Sequence, residues 1–230
     1  MDAITLLEKM KAKPVFTVAD MVGEVKNPNY ARLVLHRLVK KGLATRVKRG
    51  IYTVHDDPLI FGSHLVYPSY FSLWTALRYY NLTTQLPIAT QVMCSRPLES
   101  LKVGEEKVVF IETRHMWGYH KENYRGFEIF MADAEKLILD ALYRNSPQVS
   151  ELTEAVEKSD RERLVSYCIR MGSKSIMKRL GYLLERLVGY TSEGLLTNSR
   201  DRNIVPLNPF LPKSGKLDSK WGIYVNEVLE

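Results

Sequence analysis

The pattern of hydrophobic and polar positions divides the chain into three short helices, a hairpin, a group of strands and a helical remainder. Ile4, Leu7 and Met10 fall near one face of a first helix, Asp2 to Lys11, which Lys13-Pro14 ends because proline disfavours the α conformation just before itself. Thr17 is the expected N-cap of a second helix, with Asp20 supporting its first turn and Ala19, Val22 and Val25 near its buried side. Lys26-Asn27-Pro28-Asn29 has the composition of a turn, and Asn27 or Asn29 is placed to cap a third helix with Pro28 near its start. In that helix Ala31, Val34, Leu35 and Leu38 keep the i, i+3, i+4, i+7 spacing of one buried face. Gly42 follows Lys40-Lys41 as its stop. Leu43 to Val47 and Ile51 to Val54 then read as two strands joined by the hairpin connection Lys48-Arg49-Gly50. Three helices and this hairpin make up a winged helix-turn-helix.

After Val54, His55-Asp56-Asp57-Pro58 has the polar, proline-containing character of a domain boundary. Pro58 to Leu77 contains no Asp, Glu, Lys or Arg in twenty positions, the length of a membrane span. Gly62, Ser63, His64, Pro68, Ser69 and Ser72 argue against that, and the spacing predicts an exposed linker followed by a buried helix, Ser69 to Tyr80, with Tyr70, Leu73, Trp74 and Leu77 inward. Ile88 to Ser95, Lys107 to Thr113 and Arg125 to Ala132 are strand candidates. A helix over Glu135 to Tyr143 buries Ile138, Ala141 and Leu142 and leaves Lys136 and Asp140 towards solvent. Two more helices follow, one burying Leu164, Tyr167, Cys168 and Met171, the other Ile176, Leu180, Leu183, Leu184 and Leu187. The tail is irregular around Pro206, Pro209 and Pro212 and ends in a strand within Gly222 to Leu229. The expected class is α+β: a winged helix-turn-helix over residues 1–57, a linker over 58–68, and a mixed α/β C-terminal domain over 69–230.

Charge gives the N-terminal part a chemistry. Lys26, Arg32, Arg37, Lys40, Lys41, Arg46, Lys48 and Arg49 fall within one stretch that holds no Asp or Glu, and without these eight the net charge of +7 becomes −1. The whole basic excess therefore lies in about a tenth of the chain, the electrostatic footprint of a duplex-binding element. The helix would enter the major groove and the hairpin tip would meet a phosphate backbone. The candidate DNA-binding residues are Asn27, Asn29, Tyr30, Arg32, His36, Arg37, Lys40, Lys41, Arg46, Lys48 and Arg49.

Composition, with 45% hydrophobic and 26% charged residues, is that of an ordinary globular chain long enough to bury a sizeable core. Cys94 and Cys168 are isolated and expected as buried free thiols, outside any disulfide framework or zinc motif. The start lacks a basic n-region, so no signal peptide is read and a cytoplasmic location is expected. Glu112, Glu128, Asp133, Glu135, Lys136 and Asp140 allow a loose comparison with a metal-dependent nuclease, an alternative that no tight motif supports. His115 and His120 with Glu112 or Glu122 fit no compact zinc spacing. No catalytic residue, metal or cofactor is expected.

Several separated motifs, in order, resemble the AbiEi family, the antitoxin and transcriptional regulator component of abortive-infection toxin-antitoxin systems. Leu38-Val39-Lys40-Lys41-Gly42-Leu43 and Arg49-Gly50-Ile51-Tyr52 look like its winged helix. Tyr70-Phe71-Ser72-Leu73-Trp74-Thr75-Ala76-Leu77, with Tyr79-Tyr80 and Gln85-Leu86-Pro87, looks like the helix that follows. Ala132 to Asp140 resembles the signature Ala-x-Pro-Glu-Lys-Ala-Leu-Leu-Asp, with Ala134 for the Pro, Leu137 for the Ala and Ile138 for the first Leu. Arg179 to Glu185 and Trp221 to Asn226 also fit. The resemblance implies a repressor that binds repeats of double-stranded DNA in its own promoter, usually cooperatively; a helix-turn-helix protein does so either as a homo-oligomer on DNA or as cooperating monomers. It also implies an antitoxin that counteracts a nucleotidyltransferase-like toxin without requiring a stable complex with it. A free-standing winged-helix regulator with no antitoxin role would keep the same fold.

Overall fold

The computed structural model describes residues 3–229. Its first elements are α1 (Ala3–Lys11), β1 (Phe16–Thr17), α2 (Val18–Val25), α3 (Pro28–Lys40), β2 (Thr45–Lys48) and β3 (Ile51–Thr53). The expected start of α1 at Asp2 and the side chain of Ile4 lie outside the described residues. Local chemistry sets these boundaries. The Thr17 hydroxyl accepts from the Asp20 N–H while the Asp20 carboxylate accepts from the Thr17 N–H, a capping box that starts α2. Asn27 Oδ1 accepts from the N–H groups of Asn29 and Tyr30, both at 3.0 Å, and Pro28 opens α3. Gly42, at φ +69°, follows its end.

These elements close around Leu6, Met10, Phe16, Met21, Ala31, Val34, Leu35, Leu38 and Ala44. The four predicted inner residues of α3 are all buried. In α2 the prediction is corrected: Ala19 is exposed and Met21 is the fully buried residue, with Val22 and Val25 partly covered. The strand β1 was not predicted. It pairs antiparallel with β3, which pairs antiparallel with β2, giving a three-stranded sheet of order β1-β3-β2.

The next elements are α4 (Pro58–Phe61), a 3-10 turn over Gly62–His64, β4 (Ser69–Phe71), α5 (Leu73–Tyr79), β5 (Thr90–Cys94), β6 (Leu101–Val103), β7 (Glu106–Glu112), β8 (Tyr119–Tyr124) and β9 (Phe127–Ala132). They correct the linker expected over residues 58–68. Pro58, Ile60, Phe61, Gly62, Ser63 and Leu65 are buried, and a Cβ on Gly62 would stand 2.9 Å from the Phe71 ring. The uncharged run is interior chain. The helix predicted from Ser69 begins only at Leu73, because Ser69, Tyr70 and Phe71 form β4, fully buried in the middle of a six-stranded sheet of order β6-β7-β5-β4-β9-β8. Within this mixed sheet β4 runs antiparallel to β5 and parallel to β9, and β5 runs parallel to β7.

The remainder comprises α6 (Ala134–Arg144), α7 (Thr153–Lys158), α8 (Arg161–Met171), α9 (Lys174–Val188) and α10 (Glu193–Ser199). A small sheet of order β10-β12-β11, with β10 (Val205–Pro206), β11 (Lys216–Asp218) and β12 (Ile223–Val225), completes the fold. The fold is thus α+β with several sheets. By its contacts the chain separates into two compact units. One holds the chain up to Phe71 with residues 88–116 and 121–131; the other holds residues 72–87, 117–120 and the chain from Ala132. Neither is bounded at residue 57. Among the described residues no helix is long and apolar enough to cross a membrane.

The second unit contains the largest departure from the pattern. Lys136 and Asp140, expected towards solvent, are both fully buried and form an ion pair one turn apart on α6. The Ser72 hydroxyl donates to Asp140 Oδ2 at 2.9 Å, and the Lys136 ammonium stands 5.0 Å from the centre of the Trp117 ring. Burial pushes the Lys136 ammonium below its ordinary pKa, against the opposing pull of Asp140. Cys94 and Cys168 are buried free thiols. Burial raises both thiols above their usual range.

Candidate nucleic-acid interface

The turn between α2 and α3 is short: Lys26 adopts the left-handed conformation at φ 57° and Asn27 caps the next helix. Two helices are thereby joined tightly, and α3 buries one side while turning the other outward. Asn29, Arg32, His36, Arg37 and Lys40 are all exposed on that outer side, opposite the buried Ala31, Val34, Leu35 and Leu38. Arg37 and Lys40 occupy the last turn, where cations suit the negative end of the helix dipole.

The hairpin repeats the arrangement with the period of a strand. Val47 is buried, while Arg46 and Lys48 on either side of it are exposed. Arg49 and Gly50 make the turn, Gly50 at φ +78°, and a bulge between Arg46 and Lys48 shifts the register against β3. Lys41, Arg49, Asn27 and Tyr30 are exposed as well, so all eleven predicted residues lie at the surface. Their roles differ. The Asn27 carbonyl is committed to capping α3, and Arg32 Nη1 reaches Asn29 Oδ1 at 3.4 Å.

Charge pairing separates this surface from the rest of the N-terminal elements. Lys9 pairs with Glu24, Lys11 with Glu8 and Lys13 with Asp20. Among the described residues, none of the eight cations between Lys26 and Arg49 is in an ion pair. The nearby carboxylates Glu8, Asp20 and Glu24 are each taken up by another lysine. Two exposed apolar residues on α3 were missed by the sequence reading: Val39 at the side of the helix and Leu33, 43% exposed amid the polar stripe. Their spacing alone gave no reason to single them out.

Four of the five carboxylates considered for nuclease chemistry are engaged elsewhere. Glu128 pairs with Lys121 at 2.8 Å and Asp140 with Lys136. Asp133 caps α6 by accepting the Lys136 N–H at 2.8 Å and also accepts the Tyr167 hydroxyl at 3.0 Å. Burial raises the Asp133 carboxyl, and those hydrogen bonds work against it. Glu135 accepts the Asp160 N–H at 2.8 Å and faces Arg163. Glu112 is exposed on β7. Among the described residues no group of three His, Cys, Asp or Glu is placed to hold a metal ion.

No protein-family model matches the chain, and no curated protein is significantly similar to it in sequence. Among solved structures, the RV2827C protein from Mycobacterium tuberculosis has a similar fold, with a TM-score of 0.64 over 91% of this chain and 85% of that one. The identity is 12%, and the likeness is one of fold alone.

Proposed function

We propose that residues up to Thr53 form a winged helix-turn-helix that binds double-stranded DNA, with α3 in the major groove and the β2–β3 hairpin against the backbone. The order of α1, β1, α2, α3, β2 and β3 supports this reading, as does the β1-β3-β2 sheet. The observation that carries it is the set of eight cations on α3, its flanking turns and the hairpin, exposed and unpaired among the described residues.

On the AbiEi resemblance, the protein is a transcriptional repressor of its own operon and the antitoxin to a nucleotidyltransferase-like toxin. A reporter gene driven by the DNA upstream of its own gene tests the first half: the protein lowers expression, and the variant with Arg32, Arg37 and Lys48 all changed to Ala does not. Co-expression with the neighbouring gene tests the second half, through relief of growth arrest. Repression without such relief leaves a free-standing regulator.

A further inference from the structure

The outermost stripe of α3 carries one residue that a phosphate-binding surface does not explain. Asn29, Leu33, His36 and Lys40 recur at i, i+4, i+7 and i+11, a single stripe opposite the buried face. Leu33 is 43% exposed, between Asn29 and His36 along the stripe and flanked in sequence by Arg32. Single exposed leucines are common on protein surfaces. This one stands in the N-terminal half of a helix whose other outward side chains on that stripe are polar, the part of a recognition helix that meets base edges. An isobutyl group offers no hydrogen bond to a base. In the major groove one base edge presents an apolar group, the C5-methyl of thymine.

Resting on the DNA-binding reading above, we propose that Leu33 is a specificity-determining residue that packs against a thymine methyl group in the major groove. The protein then prefers thymine at that position of its site. Arg32 and Arg37 supply the charged contacts on either side. Because the Leu33 contact displaces no counterion, it changes affinity without changing the salt dependence.

The test uses the full chain and a duplex that it selects from a random pool. Each thymine in that duplex is replaced in turn by uracil, which lacks only the methyl group. At one position the replacement weakens wild-type binding about fourfold, the worth of one buried methyl group, with an unchanged salt slope. Leu33→Ala binds the thymine and uracil duplexes alike at that position, and Leu33→Met, apolar and of similar volume, recovers the discrimination. If no uracil replacement weakens wild-type binding, or if Leu33→Ala keeps the discrimination, the proposal is overturned while DNA binding stands. A protein that selects no duplex from the pool overturns both.

Discussion

Lys136 and Asp140 form an ion pair one turn apart on α6, with neither side chain reaching solvent. The Ser72 hydroxyl donates to Asp140, and the Lys136 ammonium faces the Trp117 ring. Removing one member of such a pair leaves an unpaired charge in the interior, at a cost of about 3–5 kcal/mol. Asp140→Ala and Lys136→Ala are each expected to lose that much stability in denaturant titration. The double replacement Lys136→Met with Asp140→Leu loses markedly less. A double variant as unstable as the sum of two singles would mean that the two charges are not coupled.

Gly181 on α9 lies against the fully buried indole of Trp221, whose Nε1 donates to Glu185 Oε2 at 2.8 Å. A Cβ at Gly181 would stand 2.0 Å from the ring. Gly181→Ala is expected to destabilise by roughly 1–3 kcal/mol or more, although alanine is the better helix former. A raised melting temperature for that variant would contradict the packing described.

The capping box of α2 makes a pH-dependent prediction. Burial works to raise the Asp20 carboxyl, but hydrogen bonds from the Lys13 ammonium and from the Thr17 hydroxyl and N–H outweigh it and bring it from 3.8 down to about 2. A carboxyl depressed in the folded state stabilises above its unfolded pKa and ceases to do so as pH falls through the folded one. Asp20→Ala therefore costs about 1 kcal/mol at neutral pH. The gap from wild type narrows from below about pH 4 and closes near pH 2. A gap independent of pH would remove the carboxylate from the account.

Much of the N-terminal architecture was legible because its determinants are local. Asn27, Pro28, the four inner residues of α3 and Gly42 each act within a turn or two of sequence, and the structure uses each as predicted. The exposed surface of the candidate interface followed from the same periodicity. Tertiary context hid the rest. Ser69 to Phe71 matched a helical spacing, yet a strand buried on both faces has no alternation to betray it. Phe16 and Thr17 form too short a strand to read without its partner β3. Lys136 and Asp140 show the spacing of a solvated helix pair, and only the packing around Trp117 and Ser72 distinguishes them from one. Leu33 escaped for the opposite reason: an apolar residue off the buried stripe is unremarkable until its exposure is known.

The two parts of the proposed interface should fail differently. Arg32→Ala or Arg37→Ala is expected to weaken binding to a preferred site by about 1–3 kcal/mol and to relax base preference, where the guanidinium forks onto a base edge. Lys48→Ala is expected to weaken preferred and random duplexes alike and to reduce the salt slope by about one. Competition binding with both duplexes across the three variants separates these outcomes. Unchanged binding in all three would place the DNA contact on another surface.

The most direct measurement is a salt titration of binding by the full chain to the DNA upstream of its own gene, beside a scrambled duplex of the same composition. Each cation that meets a phosphate contributes about 0.9 to the slope of log K against log salt. With several of the eight engaged, the account predicts a slope steeper than about −3 and tighter binding to the upstream duplex throughout. A flat salt dependence, or equal affinity for the two duplexes, would contradict it.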